Sequence, residues 1–262
     1  MLGREKPVIA MAHFPPLPGS PLYDRDGGLA KIRRHVADDL AVLVDCGVDA
    51  VLFCNEGDRP YTTRADPATL AVMASVVGRL TADLRLPFGV DILWDPKSAL
   101  ALAVATGAGF VREVFTGVYP SDMGLWDTSC GESLRYRRQI DAAGVRLFFN
   151  INAEFAGSFD RRPLPDVARS VVFSSLADAV CVSGPMTGEP AALTELTAVK
   201  KALPDVPVIA NTGIREETVA AVLEIADAVI VGTALKVDGR TFNPVDAARV
   251  RRFMRAARGR TR

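Results

Sequence analysis

His13, Glu56, Asp91 and Glu154 each stand where a short apolar run gives way to polar residues, in MAHFPP, CNEGDRPY, GVDILWDP and FFNINAEF. These types suit proton transfer. A histidine with its ordinary pKa of about 6.5 serves as acid or base near neutrality. Asp91 lies inside an apolar run, and a carboxyl buried there needs a partner. In FFNINAEF, Asn150, Asn152 and Glu154 recur at every second residue, which on an extended chain puts them on one face, opposite Phe149, Ile151 and Ala153. Such a polar ladder on a buried strand is expected to face a ligand. Arg112 and Glu113 are adjacent in FVREVF, so only one of them is expected inside. His13, Asp91 and Glu154 are the candidate acids and bases, with Arg112 and Asn152 stabilising developing negative charge. Alternatively, Glu56, Asp91 and Glu154 would hold a divalent cation, the one cofactor the sequence raises. Cys54, beside Glu56 and Asp58, is a further candidate for proton exchange.

A second set of residues suits an anion. The segments SGPMTG (183–188), NTGI (211–214) and VGTALK (231–236) follow apolar runs and are rich in small residues. Glycines let backbone N–H groups approach an oxyanion closely. Ser183, Gly184, Asn211, Thr212, Gly213, Gly232 and Thr233 are the candidate phosphate ligands, and Lys236 is placed for an anion too. No lysine ends an apolar run, which disfavours Schiff-base chemistry. GxSxG, Walker and dinucleotide fingerprints are absent. With two histidines and four scattered cysteines, Cys46, Cys54, Cys130 and Cys181, a zinc site has no support, and free thiols are expected.

These candidates need a frame that brings distant runs to one end. Eight apolar runs of strand length, at 8–14, 50–55, 87–94, 110–115, 145–152, 179–184, 207–213 and 228–235, alternate with segments of helical period. Runs apolar on both faces with helices between them mean a parallel sheet covered by helices. Eight such units without a charged edge strand predict a closed (β/α)8 TIM barrel filling one domain, 1–262. In that fold the strands' carboxyl ends carry the site, and phosphate often binds after the last two strands. The first run opens into HFPPLPGSP, whose prolines make a stiff wall beside the mouth. Lys plus Arg and Asp plus Glu number 31 each, so no basic surface calls for nucleic acid or an anionic membrane. No apolar stretch is long enough to span a bilayer and no signal peptide is evident, so a cytoplasmic protein is expected. The basic end RRFMRAARGRTR reads as a solvated last helix with a frayed terminus.

The chain resembles the BtpA/SgcQ family over nearly its whole length. The resemblance rests on MAHFPPLPGSPLY, VDAVLFCNEGDRPY, ATGAGFVR, ADAVCVSGPMTG and ADAVIVGTALKVDGRTFNPVD, the PPLPGSP element being the most specific. It implies a barrel similar to those that bind ribulose-phosphate-like ligands, with His13 and the glycine-rich loops keeping a binding role. The chain departs from the family pattern at Cys54, Asp91, Val114, Glu154 and Phe155; a basic lysine–histidine pair becomes an acid and a ring, which implies a different substrate or a lost activity.

The leading expectation is an enzyme acting on a phosphorylated small molecule, a sugar phosphate or nucleotide-like ligand, by lyase or isomerase chemistry. Two alternatives stand beside it: a non-catalytic assembly or regulatory factor, as the family's photosystem name implies, and a ligand-binding barrel without turnover. Self-association through outer helices is a further expectation.

Overall fold

A computed structural model describes residues 2–259. Eight parallel strands form a closed barrel: β1 (Val8–His13), β2 (Ala50–Cys54), β3 (Phe88–Asp91), β4 (Phe110–Glu113), β7 (Arg146–Asn150), β8 (Ala179–Val182), β9 (Val208–Asn211) and β10 (Ala228–Val231), with β10 closing on β1. Helices α1 (Gly28–Asp45), α2 (Pro67–Thr81), α3 (Pro96–Thr106), α4 (Cys130–Gln139), α5 (Leu164–Ser175), α6 (Leu193–Ala202), α7 (Val219–Ile225) and α8 (Ala247–Arg258) follow the strands in turn. The predicted barrel is therefore the observed one. Residues 1 and 260–262, which the single-domain reading and the frayed basic end include, lie outside the described residues. None of the described helices is long and apolar enough to cross a membrane.

Strand alternation divides the apolar residues between two layers. Ile9, Met11, Leu52, Cys54, Phe110, Phe148, Cys181, Ile209 and Ile230 point inward and fill the barrel. Their neighbours, such as Ala10, Val51, Phe53, Val111, Leu147 and Phe149, point outward into a larger core against the helices. On α1, Ile32, Val36, Leu40 and Leu43 recur at helical spacing and supply the buried stripe. Asp66, Asp95 and Asp246 cap α2, α3 and α8 by accepting from backbone N–H groups one turn in.

Two local readings need correction. The apolar runs overshoot the strands at the carboxyl end; β3 stops at Asp91 although ILW continues the pattern, because the Asn55 side chain takes the Leu93 N–H (2.9 Å) and turns the chain off the sheet. Residues 116–129 form an unforeseen hairpin, β5 (Val118–Ser121) paired antiparallel with β6 (Gly124–Asp127), inserted between β4 and α4.

The proline-rich loop is sewn to the loop after β2. Phe14 N–H donates to Cys54 O (2.8 Å), Gly57 N–H to Phe14 O (3.0 Å) and Leu17 N–H to Asp58 Oδ1 (3.3 Å). A Cβ at Gly57 would lie 2.6 Å from the Phe14 carbonyl, so glycine is required for this approach. The loop buttresses Glu56 from behind and does not itself line the central pocket.

Candidate active site

At the carboxyl ends of the strands lies a pocket with about 650 Å³ of empty space, part of it open to solvent. Strand register places its floor. His13 is level with Cys54 and Cys54 with Asp91, while Glu113 is level with Phe149, one residue before Asn150. Asp91, Arg112 and Glu113, and Asn150 thus end three adjacent strands at similar height. Glu56 and Glu154 arrive on the loops after β2 and β7.

Four buried carboxyls therefore share one guanidinium. Arg112 binds Asp91 directly, and its other amino group stands 4.0 Å from Glu154. Burial opposes the charge of Arg112, but Asp91 and its other anionic neighbours outweigh that and hold its proton more firmly than usual. Burial pushes Glu56 up despite Arg112. Glu113 is pushed well above the carboxylate range, first by burial and then by Asp91, with which it shares a hydrogen bond. Glu154 is pushed up to about 7, again by burial first, with Arg112 opposing and Glu56 adding to the rise. The Thr187 hydroxyl lies 3.2 Å from both Glu56 Oε1 and Glu154 Oε2. It has one hydrogen to donate, so one of those carboxyls must carry a proton for both contacts to be attractive. A carboxyl that trades its proton near neutral pH is suited to acid and base work.

His13 is held neutral: burial drives its pKa well down, nearby Lys236 adds to this, and a hydrogen bond with the Thr241 backbone opposes it. Its Nδ1 has no partner. That state is shared, since six of the seven unpartnered buried side-chain atoms among the described residues belong to pocket residues: His13, Asp91, Trp94, Arg112, Glu113 and Asn150. Native cores leave few such atoms, so their concentration marks a place built for a ligand. Three of the eight non-glycine residues with positive φ among the described residues are there too. Trp94, Phe155 and Thr212 line the pocket with φ of 69°, 55° and 61°. One wall is aromatic, Tyr61 lying 6.2 Å from Trp94 and 5.9 Å from Phe155, and Trp126 of the hairpin backs Trp94 at 4.9 Å.

A second, wider pocket adjoins the first through Gly188, Gly213, Gly232 and Thr233, which line both. Its far side carries Arg215, Arg249 and Arg252. Among the described residues, the backbone N–H groups of Gly188, Gly213, Ile214 and Thr233 donate to no turn, loop or side-chain acceptor. Backbone N–H groups at a glycine-rich rim are of the kind that can donate to an anion. Thr233 Oγ1 is fixed 2.9 Å from Thr241 Oγ1. At Gly232 a Cβ would lie 2.9 Å from His13 Cε1, so the rim and the histidine are in close packing.

Of the residues singled out from the sequence, His13, Glu56, Asp91, Arg112, Glu154, Asn211, Thr212, Gly213, Gly232 and Thr233 meet at this mouth. Others do not. Asn152 lies beyond the strand end and spends its amide on the Ser183 backbone, accepting from its N–H (2.9 Å) and donating to its carbonyl (2.6 Å), which pins two loops together away from the pocket. Ser183 Oγ accepts from Asn211, Gly184 N–H donates to Thr212 Oγ1, and neither residue lines the mouth. Lys236 is fully buried and bound to Asp39 of α1 (2.6 Å), so it holds no anion. Glu56, Asp91 and Glu154 are not gathered as a cation site, since Arg112 occupies the space between Asp91 and Glu154, and no three ligating side chains converge among the described residues. Cys54 points into the barrel, and burial pushes its thiol well above the usual range, so it exchanges no proton. All four cysteines are free, as expected. The exclusion of either Arg112 or Glu113 also fails: Glu113 ends its strand and curls back to accept from the Val114 N–H (3.0 Å), which brings its carboxyl over the rim. Tyr61, Trp94, Thr187, Gly188 and Asn150 also line the pocket; of these, Asn150 carried a signal in the ladder and Gly188 in the small-residue segment 183–188, and the others carried none.

Comparison with known proteins agrees with this frame. Sgc region protein SgcQ of Escherichia coli is 46% identical over 97% of this chain and 95% of its own length. The photosystem I biogenesis protein BtpA of Synechocystis sp. is 32% identical over 95% of this chain and 87% of its own. Among solved structures, (S)-3-O-geranylgeranylglyceryl phosphate synthase of Thermoplasma acidophilum, in complex with its substrate sn-glycerol-1-phosphate, superposes with a TM-score of 0.62 at 16% identity, covering 98% of this chain and 95% of that one. The BtpA family model matches residues 4–259, and the chain belongs to the BtpA family.

Proposed function

We propose that this chain is an enzyme that binds a small phosphorylated molecule and moves a proton on it, in an isomerase or lyase reaction. The observation that carries this reading is the pair of adjoining pockets sharing Gly188, Gly213, Gly232 and Thr233, one lined by free backbone donors and arginines, the other by a carboxyl cluster. The glycine rim would anchor the phosphate, fixing the reactive end over the carboxyls and removing its translational freedom. Glu154, poised near neutrality, is the acid or base. Arg112, held by Asp91, faces the charge that develops, and neutral His13 offers a hydrogen bond at the junction. Asn152 has a supporting part only. The similar barrel that holds sn-glycerol-1-phosphate supports the phosphate assignment.

The test pairs thermal denaturation with proton NMR in D2O across a panel of aldose and ketose phosphates and their unphosphorylated counterparts. Only phosphorylated compounds should raise the melting temperature, and at least one should exchange a carbon-bound hydrogen, an exchange lost in Glu154→Gln with binding kept. A flat melting response to every phosphorylated compound overturns the phosphate reading. Binding without exchange or bond cleavage would favour the reading drawn from the BtpA relative's name, a factor without turnover.

A further inference from the structure

The carboxyl end of this site also indicates what its ligand carries opposite the phosphate. Asp91 Oδ1, Glu113 Oε1 and Asn150 Oδ1 are buried oxygens that accept from no N–H group of the protein, the first two meeting only through the proton that Glu113 carries. They end β3, β4 and β7, three neighbours in the barrel, at similar height on one rim. Asn150 is 95% buried by its 5% exposure and belongs to no ion pair, so its open acceptor is independent of the acidic cluster. Three open acceptors match the three N–H donors of an ammonium group. The charges match as well. Asp91 and Arg112 neutralise one another, and Glu56, Glu154 and Thr187 form their own proton-sharing set. Among the described residues Glu113 makes no ion pair of its own, because the Arg112 guanidinium that it feels is bound to Asp91. Trp94 and Tyr61 line the same pocket, and aromatic rings are groups that can attract a cation.

We infer that the ligand is a small phosphorylated amine, its phosphate on the glycine rim and its ammonium among Asp91, Glu113 and Asn150. This rests on the phosphate reading above and deepens it. A neutral polyol would satisfy the oxygens one hydroxyl at a time but would leave Glu113 needing a proton; a cation replaces that proton, so Glu113 ionises on binding.

Calorimetry on the whole chain with glucosamine 6-phosphate and galactosamine 6-phosphate against glucose 6-phosphate and galactose 6-phosphate, and with 2-aminoethyl phosphate against inorganic phosphate, reads this directly. The amines should bind more tightly by about tenfold or more, the scale of a charge-assisted hydrogen bond, with proton release that buffers of different ionisation enthalpy report. Glu113→Gln should remove most of that preference and affect the neutral partners far less; Asn150→Ala should weaken the amines in the same selective way if the glutamine variant does not fold. Equal or tighter binding of the neutral sugar phosphates overturns the amine and leaves the phosphate reading intact. Loss of both ligand kinds alike in these variants also overturns it. Absence of binding by every phosphorylated compound overturns both.

Discussion

Replacing Glu154 by Gln should stabilise this protein at neutral and alkaline pH while abolishing turnover. The folded carboxyl has a pKa near 7 against an ordinary value of 4.5. Between those values the unfolded chain releases the proton and the folded chain keeps it, so the folded state binds more protons and stability falls as pH rises. At roughly 1.4 kcal/mol for each tenfold change in proton affinity, the loss reaches about 3 kcal/mol once pH exceeds 7. Glutamine is neutral throughout and keeps an oxygen and an amide for Thr187, 3.2 Å away. The two proteins should therefore match near pH 4.5 and diverge until the variant melts about 6–12 °C higher at pH 8. Urea and thermal denaturation of both, from pH 5 to 8, give the difference curve, in which acid effects common to both chains cancel. A flat difference across that range would refute the burial argument for Glu154 and its assignment as the group that titrates at the mouth.

Asp39→Ala leaves the buried ammonium of Lys236 without its carboxylate and should lose about 3–5 kcal/mol in urea denaturation, whereas the double variant Asp39→Leu with Lys236→Met should lose far less. Gly213→Ala puts a Cβ 2.1 Å from the Pro190 nitrogen at a φ of +63°, and should lose more than about 3 kcal/mol by the same measurement.

The barrel was legible because each strand is buried on both faces, which writes it into the sequence as an unbroken apolar run. The same feature hid the strand ends: Ile92 continues the apolar pattern past Asp91, and only the Asn55 amide, 38 residues before the Leu93 it binds, stops the sheet. Asp91, His13 and the glycines of the rim were readable because their types are costly or unusual where they stand. Ser183, Gly184 and Asn152 share those types, yet their polar atoms are spent on one another's loops, a matter of tertiary pairing that no local pattern records. Glu113 escaped alternation because a long side chain at a strand end can fold over the rim. Tyr61, Trp94 and Thr187 come from loops, where spacing carries no direction.

The contact between Trp94 and Trp126 has a practical consequence. The chain contains two tryptophans, and both sit in the aromatic wall, 4.9 Å apart, with none in the barrel or the helical shell. Tryptophan fluorescence, excited beyond the absorption of the four tyrosines, is therefore a report from the pocket rim alone. A ligand that takes the open Trp94 indole N–H changes the emission of the whole molecule without any label, and detachment of the hairpin carrying Trp126 registers as an optical event separate from melting of the core.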